Sequence, residues 1–199
     1  MSRREFSTFQ IDLSPYGISW VLFTPTQVSE ITGLSPVMQG DWRRRDILPK
    51  HEGHARFNAL DIAETWLLKM LSDRGVGPQH SKQVARRGAE GVVRAALRNP
   101  EAWYHVPRSG RIPRPSMKKL WFNRYFSEPT TARFLVWWTD GSIEWADNLN
   151  AAFSKASAAD DTKVDGPLIF FDTETIGRRL VEKASLPLVF NQTGRGSRD

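Results

Sequence analysis

Residues 23–49 read Phe-Thr-Pro-Thr-Gln-Val-Ser-Glu-Ile-Thr-Gly-Leu-Ser-Pro-Val-Met-Gln-Gly-Asp-Trp-Arg-Arg-Arg-Asp-Ile-Leu-Pro. Two helix starts lie close together in this stretch. Thr24 is an N-cap residue, Pro25 suits the first helical position, where no N–H is needed, and Gln27 completes a capping box. The spacing predicts a helix over 25–32 with Val28 and Ile31 on one face and Gly33 at its end. Ser35 and Pro36 repeat the start signal, and a second helix runs through Val37, Met38, Asp41 and Trp42 to about Arg45. Two short helices around a Gly-containing turn form a helix-turn-helix pattern.

Downstream, Ile47-Leu48-Pro49, the polar run Lys50-His51-Glu52-Gly53-His54 and Ala55-Arg56-Phe57 predict a small hairpin. Asn58 caps a third helix, with Asp61 complementing the dipole in its first turn. Ile62, Trp66 and Met70, with Leu67 and Leu71, give that helix an apolar stripe. Gly75 and Gly77-Pro78 end it. A fourth helix is expected over about 79–98, with Val84, Val92, Val93, Ala96 and Leu97 on one face. Lys82, Arg86, Arg87, Arg94 and Arg98 line its polar face, and Gly88 and Gly91 weaken its middle. Upstream, residues 1–22 read as a short extension that packs on the neighbouring downstream segment.

Residues 99–125 read as a basic, Pro-rich linker, because Pro100, Pro107, Pro113 and Pro115 break helices and Arg108, Arg111, Arg114, Lys118 and Lys119 supply charge. The last third changes character. Strands are expected at 133–138 and 142–145 around the turn Thr139-Asp140-Gly141. A helix capped by Asp147 or Asn148 comes next, then a strand at 168–171, a helix capped by Asp172, and a last strand at 186–190. This β-β-α-β-α-β order predicts a small α/β domain over 126–191, with a polar tail at 192–199.

The chain has 199 residues, 40% of them hydrophobic and 25% charged, which suits one folded domain or two small ones. It has no cysteine, which excludes disulfides, Cys-type zinc sites, iron–sulfur clusters and thiol catalysis. No 18-residue apolar run occurs, so no transmembrane helix is expected. The polar start Met1-Ser2-Arg3-Arg4-Glu5 predicts no secretory signal, and the expected location is the cytoplasm. The net charge of +6 hides an asymmetry: residues 1–125 carry 20 basic and 11 acidic side chains, residues 126–199 carry 8 and 11. A basic N-terminal part points to a polyanion, most often nucleic acid.

The segment Phe23–Leu71 resembles the DNA-binding domain of the MerR family of bacterial transcription regulators. The matching features are Phe23-Thr24-Pro25, the turn Ile31-Thr32-Gly33-Leu34-Ser35, the basic exit Trp42-Arg43-Arg44-Arg45-Asp46-Ile47-Leu48-Pro49, and Arg56-Phe57-Asn58 leading to Asp61 and Ile62. The Arg-Tyr-Tyr stretch usual in that family is Asp41-Trp42-Arg43 here, and its long dimerisation helix has no counterpart. The same winged fold occurs in phage excisionases, so the resemblance implies the wider superfamily.

The expected class is therefore α+β: a MerR-like winged helix-turn-helix domain at 23–98, a basic linker, and a small C-terminal α/β domain. The second helix of such a domain lies in the major groove, with nearby cations on phosphates. Ser35, Gln39, Asp41, Arg43, Arg44 and Arg45 are the candidates around it, with Thr26 on the first helix, while Trp42 and Leu34 face the core. Gln reads adenine and Arg reads guanine bidentately. Lys50, His51, His54 and Arg56 are candidate wing contacts to phosphate or minor groove. Arg111 and Arg114 are candidates in the linker, in the manner of a homeodomain arm.

These residues predict a sequence-specific double-stranded DNA-binding transcription regulator of bacterial or phage origin, with no cofactor and no metal. A single module buries little DNA surface, so a homodimer or higher homo-oligomer is expected. RNA polymerase or a recombinase is a candidate partner. The alternatives are an architectural, excisionase-like DNA-bending factor and a protein-interaction adaptor. Phe170-Phe171-Asp172-Thr173-Glu174 resembles the first motif of DEDD-type exonucleases. Only 22 residues lie beyond Gly177, too few for that fold, and Asp172 reads instead as a helix cap. No enzyme is expected.

Overall fold

A computed structural model describes residues 18–49, 55–105, 115–127, 132–159 and 162–191. They form a mixed α+β fold. In chain order the elements are β1 (Ile18–Trp20), α1 (Pro25–Thr32), α2 (Pro36–Arg44), α3 (Ala59–Ser72), α4 (Pro78–Ala96), β2 (Trp103–His105) and α5 (Pro115–Tyr125). Then come β3 (Phe134–Trp137), β4 (Ile143–Ala146), α6 (Leu149–Ala158), β5 (Ile169–Asp172), α7 (Thr173–Lys183) and β6 (Val189–Asn191).

The helix starts form as the capping chemistry dictates. The Thr24 N–H donates to Gln27 Oε1 at 2.8 Å and the Gln27 N–H donates back to Thr24 Oγ1 at 3.3 Å. Gly33 ends α1 at φ 76°, a left-handed conformation that costs glycine little, and its N–H donates to Ser29 O. Ser35 Oγ accepts from Met38 N at the start of α2. Asn58 and Asp61 build a reciprocal capping box at α3. A paired bridge between Phe23 and Phe57, with hydrogen bonds of 2.8 and 3.0 Å, clasps the chain on either side of α1 and α2.

Two three-stranded sheets flank the helices. β3 lies between β4 and β5, antiparallel to both, with Leu135 opposite Trp145 on one side and Phe171 on the other. Alternate β3 side chains serve opposite faces, as strand geometry requires. Leu135 enters the main core, while Val136 packs with Trp138, Ala156 and Phe153 beneath α6. The second sheet has the order β1-β6-β2, with β6 antiparallel to β1 and parallel to β2.

That second sheet corrects two sequence expectations. The last strand does not complete a C-terminal α/β unit, because it crosses back to pair Trp20 with Val189 and Trp103 with Val189. Nor is 99–125 simply a linker. Its first part supplies β2, and its last part supplies α5, whose Trp121 is fully buried. Trp121 lies 4.7 Å from the Trp20 ring and 5.2 Å from that of Tyr125, so aromatic burial outweighs the basic and Pro-rich signal of that stretch. Residues 106–114 lie outside the described residues, as do 1–17 and 192–199.

One apolar core runs from Ile18 through α3 and α4 to Leu135, Phe171, Leu180 and Val189, so packing does not divide at residues 99–125. Close helix approach joins the two halves of the chain. A Cβ on Gly177 would lie 2.6 Å from Val92 O and 2.8 Å from Ala96 N, which leaves room for glycine only. Gly88 and Gly91 let Leu67 and the Trp145 ring lie against the backbone of α4. Lys183 Nζ donates to Ile31 O at 3.2 Å and so ties the end of α7 to the end of α1.

Candidate nucleic-acid interface

α2 is held against α1 by two buried side chains. Trp42 is 4% exposed, and Leu34 in the turn is fully buried. The Trp42 carbonyl accepts from the N–H groups of both Ile47 and Leu48, which turns the chain sharply after α2. Asp46 adopts φ 55° at this turn, a left-handed conformation that Asp tolerates better than most residues. Lys82 Nζ, on α4, donates to Asp46 O at 2.5 Å and braces the turn from outside.

Gln39 requires a correction. It is fully buried, and its amide nitrogen donates to Pro25 O at 2.9 Å and to Leu34 O at 2.8 Å. Its side chain therefore ties the two helices together and does not face a groove. The polar residue type concealed this, because an inward amide and a base-reading amide look alike in sequence.

The outward face of α2 carries Val37, Met38, Asp41 and Arg44. Val37 is 80% exposed and Met38 42%. Asp41 sits one turn beyond Val37 and draws in two cations: Arg44 Nη2 at 3.2 Å and Arg45 Nη1 at 3.6 Å. Arg43 lies differently. It is partly buried, with its guanidinium carbon 5.6 Å from the Phe57 ring centroid, a cation–π placement beside the root of the 50–54 segment. Arg56 is partly buried and donates to Ala55 O. Thr26 is exposed on the first turn of α1, and Ser35 is engaged in capping. Lys50, His51, His54, Arg111 and Arg114 lie outside the described residues.

Beside the α2 exit, α3 and α4 enclose a polar cleft of about 380 Å³ lined by Asn58, Asp61, Glu64, Lys82, Arg86 and Tyr125 among others. Burial pushes the Glu64 carboxyl up to about 6, against the opposing pull of Arg86 and Lys82. Farther along α4, Arg94 packs over the Phe126 ring at 4.7 Å, and just past the end of the helix Arg98 pairs with Glu174 at 2.9 Å. These two cations serve internal packing and pairing.

The nuclease-like motif is built as a helix cap. Asp172 Oδ1 accepts from Thr175 N at 3.0 Å, and Asp172 Oδ2 lies 2.6 Å from Arg133 Nη2. The hydrogen bond from Arg133 holds the Asp172 carboxyl down at about 2, with further help from Thr175. The Thr173 hydroxyl is turned inward and donates to Arg133 O.

The chain matches no protein-family model and no curated protein. Among the described residues, no helix is long and apolar enough to cross a membrane.

The sequence reading missed Val37 and Met38 as surface features. Their exposure stems from the helical phase that buries Gln39 and Trp42.

Proposed function

We propose that this protein is a sequence-specific double-stranded DNA-binding transcription regulator of bacterial or phage origin, acting in the cytoplasm. In this reading α1 and α2 form a helix-turn-helix of the MerR-like winged type and α2 enters the major groove. The observation that carries the reading is the placement of α2. Its inner side is fixed by Gln39 and Trp42, and its outer side is exposed among the described residues, with Arg44 and Arg45 at its C-terminal end. A helix held rigidly on one side and presented on the other is what groove reading needs, and flanking cations supply the phosphate contacts that set register. The basic balance of residues 1–125 adds long-range attraction to DNA. One module buries little DNA surface, so binding is as a homodimer or higher homo-oligomer.

In vitro selection from a random duplex library tests the proposal. The expected result is an enriched motif bound with an affinity that falls steeply as salt rises. Failure to enrich any motif, with weak binding indifferent to salt, would overturn it in favour of a protein-interaction adaptor.

A further inference from the structure

We infer that α2 reads thymine C5-methyl groups through Val37 and Met38, so that the recognised duplex carries thymine at the positions facing the first turn of this helix. The inference rests on the DNA-binding reading above and names what that site recognises. Four large hydrophobic side chains are exposed among the described residues, and two of them, Val37 and Met38, are adjacent on α2. Val37, at 80%, is the most exposed of the four.

The side chains that hydrogen-bond purine edges are turned elsewhere at this turn. Gln39 is fully buried, and its side-chain nitrogen donates both of its hydrogen bonds inside the protein. Arg43 lies over the Phe57 ring. Arg44 and Arg45, beyond the first turn, are drawn to Asp41. The exposed side chains of the first turn, Pro36, Val37 and Met38, are all apolar. In the major groove the apolar feature of a base pair is the thymine methyl, which cytosine, adenine and guanine lack. Two further features favour DNA as the occupant of this apolar face. The cations Arg44 and Arg45 come after it at the end of the same helix, and the residues up to 125 are net basic.

Replacing thymine by deoxyuridine removes the methyl and leaves every hydrogen-bonding group in place. The test takes the duplex enriched by selection and substitutes deoxyuridine for each thymine in turn. It then measures affinity by fluorescence anisotropy for the wild-type chain and for the Val37→Ala and Met38→Ala variants. For the wild type, deoxyuridine at one or more positions should weaken binding about four-fold, as expected for removal of one buried methyl. Val37→Ala or Met38→Ala should abolish that sensitivity at its own position and leave the others, a pairwise coupling that a general weakening of affinity would not produce. Placing 5-methylcytosine paired with guanine at the sensitive position should recover part of the binding that a cytosine–guanine pair loses. Both variants replace exposed side chains, and thermal melting checks that each is folded. An enriched motif bound equally well with deoxyuridine at every position overturns the methyl reading and leaves DNA binding standing. The absence of any enriched motif overturns DNA binding itself.

Discussion

The side-chain amide of Gln39 donates to the main-chain carbonyl of Pro25 across 2.9 Å, joining the middle of α2 to the first residue of α1. The same nitrogen donates to Leu34 O, so one buried group fixes the angle between the helices and the turn that links them. Gln39→Ala should remove both buried hydrogen bonds and destabilise the fold by about 1–3 kcal/mol, the usual net worth of two such bonds. Urea unfolding followed by circular dichroism measures this. A variant of wild-type stability with an altered base preference would show instead that Gln39 faces the groove.

Asp41 governs the charge of the outward face of α2. Arg44 and Arg45 both lie within ion-pair distance of its carboxylate. Asp41→Asn should free both cations and remove a charge that repels phosphate. Binding to unrelated duplexes should strengthen and the specificity ratio should fall. Competition binding between an enriched and a scrambled duplex reads both, and an unchanged ratio would place Asp41 outside the interface.

Gly177 sits where α7 meets α4. Gly177→Ala places a methyl 2.6 Å from a backbone carbonyl that cannot swing aside. The expected cost is about 1–3 kcal/mol from overpacking, seen as a lower thermal midpoint. A neutral outcome would mean that α4 and α7 separate readily.

Glu64 makes stability depend on pH. Its folded value of about 6 lies above the ordinary 4.5, so the folded state holds its proton longer than the unfolded chain. The resulting stabilisation is full below about pH 4.5 and is lost as pH rises through about 6, a change of about 2 kcal/mol. Glu64→Gln should flatten that window when urea midpoints are compared at pH 4.5 and 7. An identical slope in the variant would assign the pH dependence to other groups.

What was legible in the sequence was local. Thr24, Ser35, Asn58 and Asp172 each announce a helix start, because a cap is satisfied by its own next three residues. The turn at Gly33 is equally self-contained. The pairing of Val189 with both Trp20 and Trp103 was not legible, since three short strands far apart in the chain carry no local mark of partnership. Trp121 was hidden among prolines and cations, although its neighbours Trp103, Phe122 and Tyr125 give the stretch more aromatic surface than a solvated tether needs. On α2 the polar type of Gln39 suggested the wrong side. Burial there is set by the phase that Trp42 and Leu34 impose on the helix, and that phase overrides residue type.

The most direct test of DNA binding through α2 is the salt dependence of affinity for an enriched duplex, for the wild-type chain and for the Arg44→Ala/Arg45→Ala double variant. The expected wild-type result is a linear fall of log K with log salt. The variant slope should be shallower by about 0.9 for each phosphate that the missing guanidinium groups no longer neutralise. A variant that matches the wild type in both affinity and slope would contradict a DNA interface centred on α2.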